Sequence, residues 1–395
     1  MRKKQKTENE MKVLYDSQAF DMQTHGGVSR CFAELYSNRP ESVDARIGVL
    51  ESDNVYLQQL GFPKNGNEYD HFLHKGFPMR RIIYKAYKNI KGGYPEKWDR
   101  KPRVNQLESE HLLRMQDFDV FHPTFFDDYF LRFIGKKPFV LTIHDMIPEL
   151  FPKYYSKKEK QIVLKKKLAG LAAHIVAVSE QTKTDIVHFL QIPEEKVSVV
   201  YHGSDTKPYY PSVGTNYTFE YLLYVGERHW YKNFSGFCRD CMPILRRHKD
   251  LKIVCTGRPF TPEELFFFEA FGMEERFIHL FVEDEQDFMD LYHNAIAFVY
   301  PSSYEGFGIP ILEAYKAGCP VMLNKASCFP EIAADAAIYF EMKKDSSDFE
   351  EQFENLYHMS SEERKSLIEK QKKRLALFSW KTSADELAKI YQKVI

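Results

Sequence analysis

Apolar runs of four to six residues alternate with helical stretches along the whole 395-residue chain. In the first half they are Lys12–Tyr15, Ala45–Leu50, Asp119–His122, Phe139–Ile143, His174–Ser179 and Val197–Tyr201. In the second half they are Tyr221–Val225, Leu251–Thr256, Phe277–Phe281, Ile296–Tyr300, Pro320–Leu323 and Ala337–Phe340. Most are continuous rather than alternating, which is the pattern of strands buried on both faces. Tyr155–Gly170, Glu180–Leu190 and Asn233–His248 read as helices between them. Strand and helix in alternation imply right-handed βαβ units and parallel, doubly wound sheets. About six strands in each half predict two such sheets, and a chain of this length suits two cores better than one.

The break is expected at Ser204–Thr218, a polar stretch with turn formers and no periodicity. The expected divisions are a flexible leader at 1–11, a first domain at 12–204, a second at 205–377 and a terminal amphipathic helix within 378–395. The charged leader lacks the apolar core of a signal peptide. No apolar run approaches the roughly 18–20 residues of a membrane span, so a cytoplasmic protein is expected. A net charge of -1 gives no case for nucleic-acid binding. Six cysteines in so long a chain do not make a disulfide scaffold. Cys238 and Cys241 form a lone C-x-x-C in a helical stretch, without a second pair at zinc spacing, and read as reduced packing residues. In the acidic run 282–287, Asp284 and Asp287 read as helix caps.

The chemistry concentrates in Tyr300-Pro-Ser-Ser-Tyr-Glu-Gly-Phe-Gly-Ile-Pro-Ile-Leu-Glu313. An apolar run ends in a Pro-Ser-Ser turn. Glu305 follows in the loop and Glu313 in the next helix. Gly306 and Gly308, lacking a Cβ, let backbone approach a ligand closely around Phe307. The N–H groups of a helix start, with its dipole, favour an anion. Backbone donors flanked by two carboxylates suit a sugar nucleotide: donors for the diphosphate, carboxylates for hydroxyls. The segment resembles the E-x7-E signature of retaining glycosyltransferases of the GT-B fold, most closely those of family 4. The resemblance covers the chain from about residue 12 to its end. It implies an α/β fold of two Rossmann-like, doubly wound domains facing across a cleft, with the last helix crossing back onto the first domain.

On that resemblance Arg228 and Lys232, which follow the second domain's first strand, hold the donor diphosphate. Glu313 binds the ribose, and Glu305 with the backbone of Gly306, Phe307 and Gly308 holds sugar and phosphates. Gly26 and Gly27 match the family's glycine loop after the first strand, which contacts donor phosphates or acceptor; Arg30, nearby, reads equally as a surface ion-pair partner. His144 matches a histidine that approaches the donor sugar. Asp145 either orients it or caps the following turn. Ser179 lies in the family's strand–Ser–helix element and is also a natural helix N-cap. His202 stands where the hinge loop commonly has Asn, which leaves its role open.

Lys75–Arg103 carries ten basic residues against Glu96 and Asp99, a local charge of +8, with Phe, Met, Ile and Tyr interleaved. Such a stretch suits an anionic membrane surface, and a phosphorylated acceptor equally. A second basic run spans Lys157 to Lys167.

No D-x-D, the usual cation site of metal-dependent glycosyltransferases, follows an apolar run, so no metal is expected, with Arg228, Lys232 and helix amides in place of the cation's charge. The resemblance implies a hexosyltransferase without a cofactor. It would move a hexose from a nucleoside-diphosphate sugar, with a lean to GDP-mannose or a UDP-hexose, onto a saccharide or lipid-linked saccharide in polysaccharide or lipopolysaccharide assembly. A GT-B sugar-nucleotide epimerase and a non-catalytic GT-B scaffold are the alternatives. The first would need no acceptor, and the second predicts degraded motifs.

Overall fold

A computed structural model describes residues 10–64, 101–156, 159–204, 208–212, 217–282, 284–343 and 347–395, with backbone alone for 101–103. Most of the basic segment Lys75–Arg103, including its aromatic residues, lies outside the described residues. All twelve expected strands are present. They are β1 (Met11–Tyr15), β2 (Val43–Ile47), β3 (Val120–His122), β4 (Val140–Ile143), β5 (His174–Ala177), β6 (Val197–Val199), β7 (Tyr221–Tyr224), β8 (Lys252–Cys255), β9 (Phe277–His279), β10 (Ala297–Tyr300), β11 (Val321–Asn324) and β12 (Ile338–Phe340).

The chain forms two compact units. The first comprises 1–178, 183–200 and 380–395; the second comprises 179–182 and 201–379. The main division therefore falls at Val200–Tyr201, four residues ahead of the expected 204, and the return at Ser379–Trp380.

In the first unit, all pairings are parallel, in the orders β2-β1-β3 and β4-β5-β6. A single parallel bridge, Phe121 to Phe139, ties β3 to β4. Continuous apolar sequence and full burial coincide in β3, β4 and β5. The edge strand β2 instead alternates, with Asp44 and Arg46 exposed, so its apolar pattern begins earlier than the expected Ala45. The terminal helix Trp380–Val394 belongs to this unit, and it buries Trp380, Leu387, Ile390 and Tyr391 in the core behind β1.

Two histidines, His122 fully buried and His144 partly buried, make this unit sensitive to acid. His122 engages the Tyr391 hydroxyl through Nδ1 at 2.7 Å and the Thr142 hydroxyl through Nε2 at 2.9 Å. Burial, and then the neighbouring His144, hold its imidazole down to about 3. Burial holds His144 down to about 4. Both lie below the ordinary 6.5, so between these values the unfolded chain binds more protons than the folded one. Stability is therefore intact above pH 6.5 and falls as the pH drops below it, by about 1.4 kcal/mol per pH unit for each histidine. Urea unfolding at pH 7.5, 5.5 and 4.5 should show the first unit melting progressively earlier, and His122→Gln should shallow that trend. A first-unit transition that stays put across this range would contradict the lowered proton affinity of both rings.

In the second unit the sheet order is β12-β11-β10-β7-β8-β9, all parallel. The chain runs outward from β7 through β8 to β9, then returns to the other side of β7 with β10 and continues to β11 and β12. The reversal lies between β7 and β10. Ligands of open α/β sheets bind at such a switch point, beyond the carboxyl ends of the strands. Helix Phe234–Arg247 packs Phe237, Cys238, Cys241, Ile244 and Leu245 into the core below this edge. All six cysteines are free and buried, and burial pushes the Cys238 and Cys241 thiols well above their ordinary value.

Candidate active site

Two loops meet at the switch point of the second unit. One follows β7 and carries Arg228 and Lys232; the other follows β10 and carries Glu305 to Gly308. The Ser303 N–H donates to the Tyr231 carbonyl at 2.7 Å, which stitches them together. Lys232 Nζ lies 2.9 Å from Glu305 Oε1, with the side chains 15% and 12% exposed. The Ser302 hydroxyl donates to the same oxygen at 2.8 Å. The ammonium also sits 5.4 Å from the Tyr300 ring centre and 5.7 Å from that of Tyr231. Burial, then the Glu305 charge, pushes the Tyr300 phenol far up, so it stays a neutral donor beside the carboxylate. A half-buried cation, compensated by one carboxylate and edged by aromatic rings, is suited to receive an anionic ligand.

The loop backbone is held from behind. The Ser302 carbonyl accepts from Asn324 Nδ2 at 3.1 Å. The Glu305 carbonyl accepts from the Ser327 hydroxyl at 2.8 Å, and Cys328 Sγ lies 3.2 Å from both the Glu305 and the Phe307 carbonyls. Gly308 caps helix Ile309–Ala317 in the left-handed region at φ 96°, and an added Cβ would press on Ile311 at 3.1 Å. The helix start itself offers fewer donors than expected. Pro310 in its first turn has no N–H, and the Ile311 N–H donates to the Gly308 carbonyl. The backbone donors for an anion therefore come mainly from the loop peptides.

Of the remaining expected residues, Ser179 and His202 reach the Gly306–Phe307 loop, whereas Arg228 turns away from Lys232 and Glu313 lies on the following helix. Glu313 lies half-buried on that helix and accepts from the Tyr292 hydroxyl at 3.2 Å. Arg228 does not join Lys232: its Nε donates to Glu264 at 2.8 Å and its Nη2 to the Arg258 and Pro259 carbonyls at 2.6 and 2.7 Å. Its side chain is 4% exposed, between the rings of Phe234 and Phe260. In this pose it braces the loop after β8. His202 is buried and packs edge-on to Phe307, with ring centres 5.0 Å apart. Ser179 is buried and accepts the Thr182 N–H at 3.0 Å, as an N-cap does. Asp284 likewise caps helix Glu285–His293, accepting from the Gln286 and Asp287 N–H groups.

Gly26, Gly27, Arg30, His144 and Asp145 belong to the first unit. Gly26 is extended; a Cβ there would meet the Gln23 side chain at 2.5 Å, and Gln23 Oε1 accepts the Ser29 N–H at 3.0 Å. One donor of the helix Gly27–Ser37 is thus already satisfied within the chain. Arg30 is half-buried on that helix. His144 lies with its ring 6.0 Å from that of Phe32, on the same helix. Asp145 takes the capping role, its Oδ1 accepting the Ile147 N–H at 3.0 Å. Its carbonyl accepts from Lys165, which also pairs with Glu149 at 2.9 Å with side chains 0% and 8% exposed. Sequence reasoning missed this buried pair, and also Asn324, Ser327 and Cys328, which lie in no local motif; Glu264, in a Thr261–Glu264 capping box, and Thr182, three residues after Ser179, carried local signals that went unused.

An open parallel sheet with this pair and glycine loop at its switch point, in a chain with a second doubly wound unit, defines a GT-B fold. Residues 68–208 match the family described as Glycosyltransferase Family 4, and residues 205–374 match Glycosyl transferases group 1. The chain belongs to these glycosyltransferases. It is similar to O-antigen chain mannosyltransferase B of Escherichia coli, 30% identical over 50% of this chain and 56% of that one. It is similar to O-antigen chain mannosyltransferase RfbU of Salmonella typhimurium, 26% identical over 50% and 55%. These matches thus span about half the length of each relative. Among solved structures, Anabaena HepE in complex with UDP and glucose superposes with a TM-score of 0.68 at 16% identity, covering 97% of this chain and 100% of that one.

Proposed function

We propose that the protein is a retaining, metal-independent hexosyltransferase that uses a nucleoside-diphosphate sugar. The observation that carries this reading is the Lys232–Glu305 pair at 2.9 Å, set between β7 and β10 beside the Gly306–Gly308 backbone. Lys232 and the loop N–H groups meet the diphosphate and stabilise its charge as it leaves; Glu305 holds the sugar, and Glu313 the ribose. Arg228 reaches the diphosphate only by leaving Glu264, so its first role is to brace the loop. The acceptor hydroxyl oxygen bonds to the anomeric carbon as the carbon–phosphate oxygen bond breaks, and its proton passes to the leaving phosphate. The nucleoside diphosphate is released. No separate base is needed, and the glycosidic bond keeps the donor's configuration.

In the first unit, His144 approaches the donor sugar and Gly26 and Gly27 contact donor phosphates or acceptor, as the family resemblance implies. The likeness to O-antigen chain mannosyltransferases supports mannose as the sugar moved, and the likeness to a GDP-mannose:cellobiosyl-diphosphopolyprenol alpha-mannosyltransferase supports GDP-mannose as donor and a saccharide, free or lipid-linked, as acceptor. A UDP-hexose is the second candidate. Among the described residues no helix is long and apolar enough to cross a membrane. The charge of Lys75–Arg103 supports docking to an anionic membrane surface from the cytoplasmic side.

The test is incubation with GDP-mannose or UDP-glucose and mannosyl saccharides in the presence of EDTA, with the product anomer read by NMR. An α-linked product from an α-linked donor is expected. An inverted product, or loss of transfer with EDTA, would contradict the mechanism. Free nucleotide with an altered sugar and no acceptor product would identify an epimerase instead.

A further inference from the structure

The loop between Glu305 and Gly308 has a second set of supports that the reaction as described does not use. Ser179 and Thr182, which group with the second unit, both reach the Gly306 carbonyl. The Ser179 hydroxyl donates to it at 2.6 Å and the Thr182 hydroxyl at 3.2 Å; the two hydroxyl oxygens are 3.0 Å apart. Both side chains are fully buried. A carbonyl oxygen has two lone pairs, and here two hydroxyls take them.

The Gly306 carbonyl and the Phe307 N–H belong to one planar trans peptide, so they point in opposite directions. Fixing the oxygen fixes the N–H. The neighbouring Glu305 and Phe307 carbonyls are held by Ser327 and Cys328, so three successive peptides are each set by side-chain donors. Glycine at 306 and 308 would otherwise leave this backbone unusually free to rotate. Helix capping alone does not explain the arrangement. The cap needs only Ser179 accepting the Thr182 N–H, and neither hydroxyl needs to find Gly306 for that.

We infer that Ser179 and Thr182 are positioning residues that aim the Phe307 N–H at the diphosphate or sugar of the bound donor. The inference rests on the glycosyltransferase reading of this site. Removing one hydroxyl leaves the other to hold the peptide, whereas removing both lets it turn.

The experiment is calorimetric titration of UDP and GDP into wild type, Thr182→Val, Thr182→Ser, Ser179→Ala and the Ser179→Ala/Thr182→Val double variant. Thr182→Val keeps the Ser179 cap and the side-chain volume, so it isolates the contact with Gly306. Each single deletion is expected to weaken Kd by about two- to tenfold, and the double variant by about 30- to 100-fold. Thr182→Ser should restore wild-type affinity. A merely structural role would lower the fraction of competent protein, read as stoichiometry, and leave Kd unchanged. Wild-type Kd in the folded Thr182→Val and double variants would overturn the proposal. Failure of the wild type itself to bind either nucleotide would bring down the reading of the whole site, and the positioning role with it.

Discussion

Replacing Lys232 by alanine should lower sugar transfer by about 10²–10³-fold, the usual effect of removing one donor that meets developing charge. The reason is local. Lys232 Nζ is the cation that contacts Glu305 at the crevice between β7 and β10, since Arg228 is held by Glu264 and two carbonyls. The same change leaves the largely buried Glu305 carboxylate without its ionic partner. Breaking such a pair on one side costs about 3–5 kcal/mol in buried settings. The 15% and 12% exposure of these side chains places this site toward the lower end. The second unit should therefore unfold earlier in urea while the first unit's transition stays where it was. Full transfer activity in a folded Lys232→Ala protein would contradict the role of Lys232.

Glu305→Gln separates binding from chemistry. The substitution keeps volume and leaves a hydrogen-bonding oxygen for Ser302, but it removes the charge that neutralises Lys232. Nucleoside diphosphate affinity should hold or improve, because the ammonium no longer shares its field with a carboxylate. Transfer should nevertheless fall by about 10²-fold or more, because the sugar loses a charged partner as the bond breaks. Glu313→Ala is the contrasting variant. Glu313 sits on the following helix beside Tyr292, away from the reacting bond in this reading, so its loss should appear first as weaker nucleotide binding. Parallel calorimetry and transfer assays distinguish the two. Equal losses of affinity in both variants would show that Glu305 serves the nucleotide rather than the sugar.

Most strands were legible because strands buried on both faces are written as unbroken apolar runs, as in β3, β4, β5, β7, β10 and β11. Strand β2 shifted because Asp44 and Arg46 face out, so its pattern alternates. The expected helix at Tyr155 begins at Lys160. Strand order was not legible, and the site depends on it. Nothing local says that β10 returns to lie against β7, yet that pairing brings Lys232 to Glu305. The E-x7-E segment identified the loop; it could not show that Ser179, Thr182, Ser327 and Cys328 hold its carbonyls from elsewhere in the chain. Pro310 removes one N–H donor from the helix start, a loss the sequence itself shows. Arg228 looked equivalent to Lys232 four residues on; the ring pocket of Phe234 and Phe260 with Glu264 drew it away.

The most direct test is calorimetric titration of the full chain with UDP and with GDP, each in EDTA. Tight binding of one nucleotide, weakened in Lys232→Ala, is the expected result; it would name the base and place the diphosphate at the switch point of the second unit. Binding of neither, or binding of one with undiminished affinity in Lys232→Ala, would contradict a nucleotide-sugar site at Lys232 and Glu305.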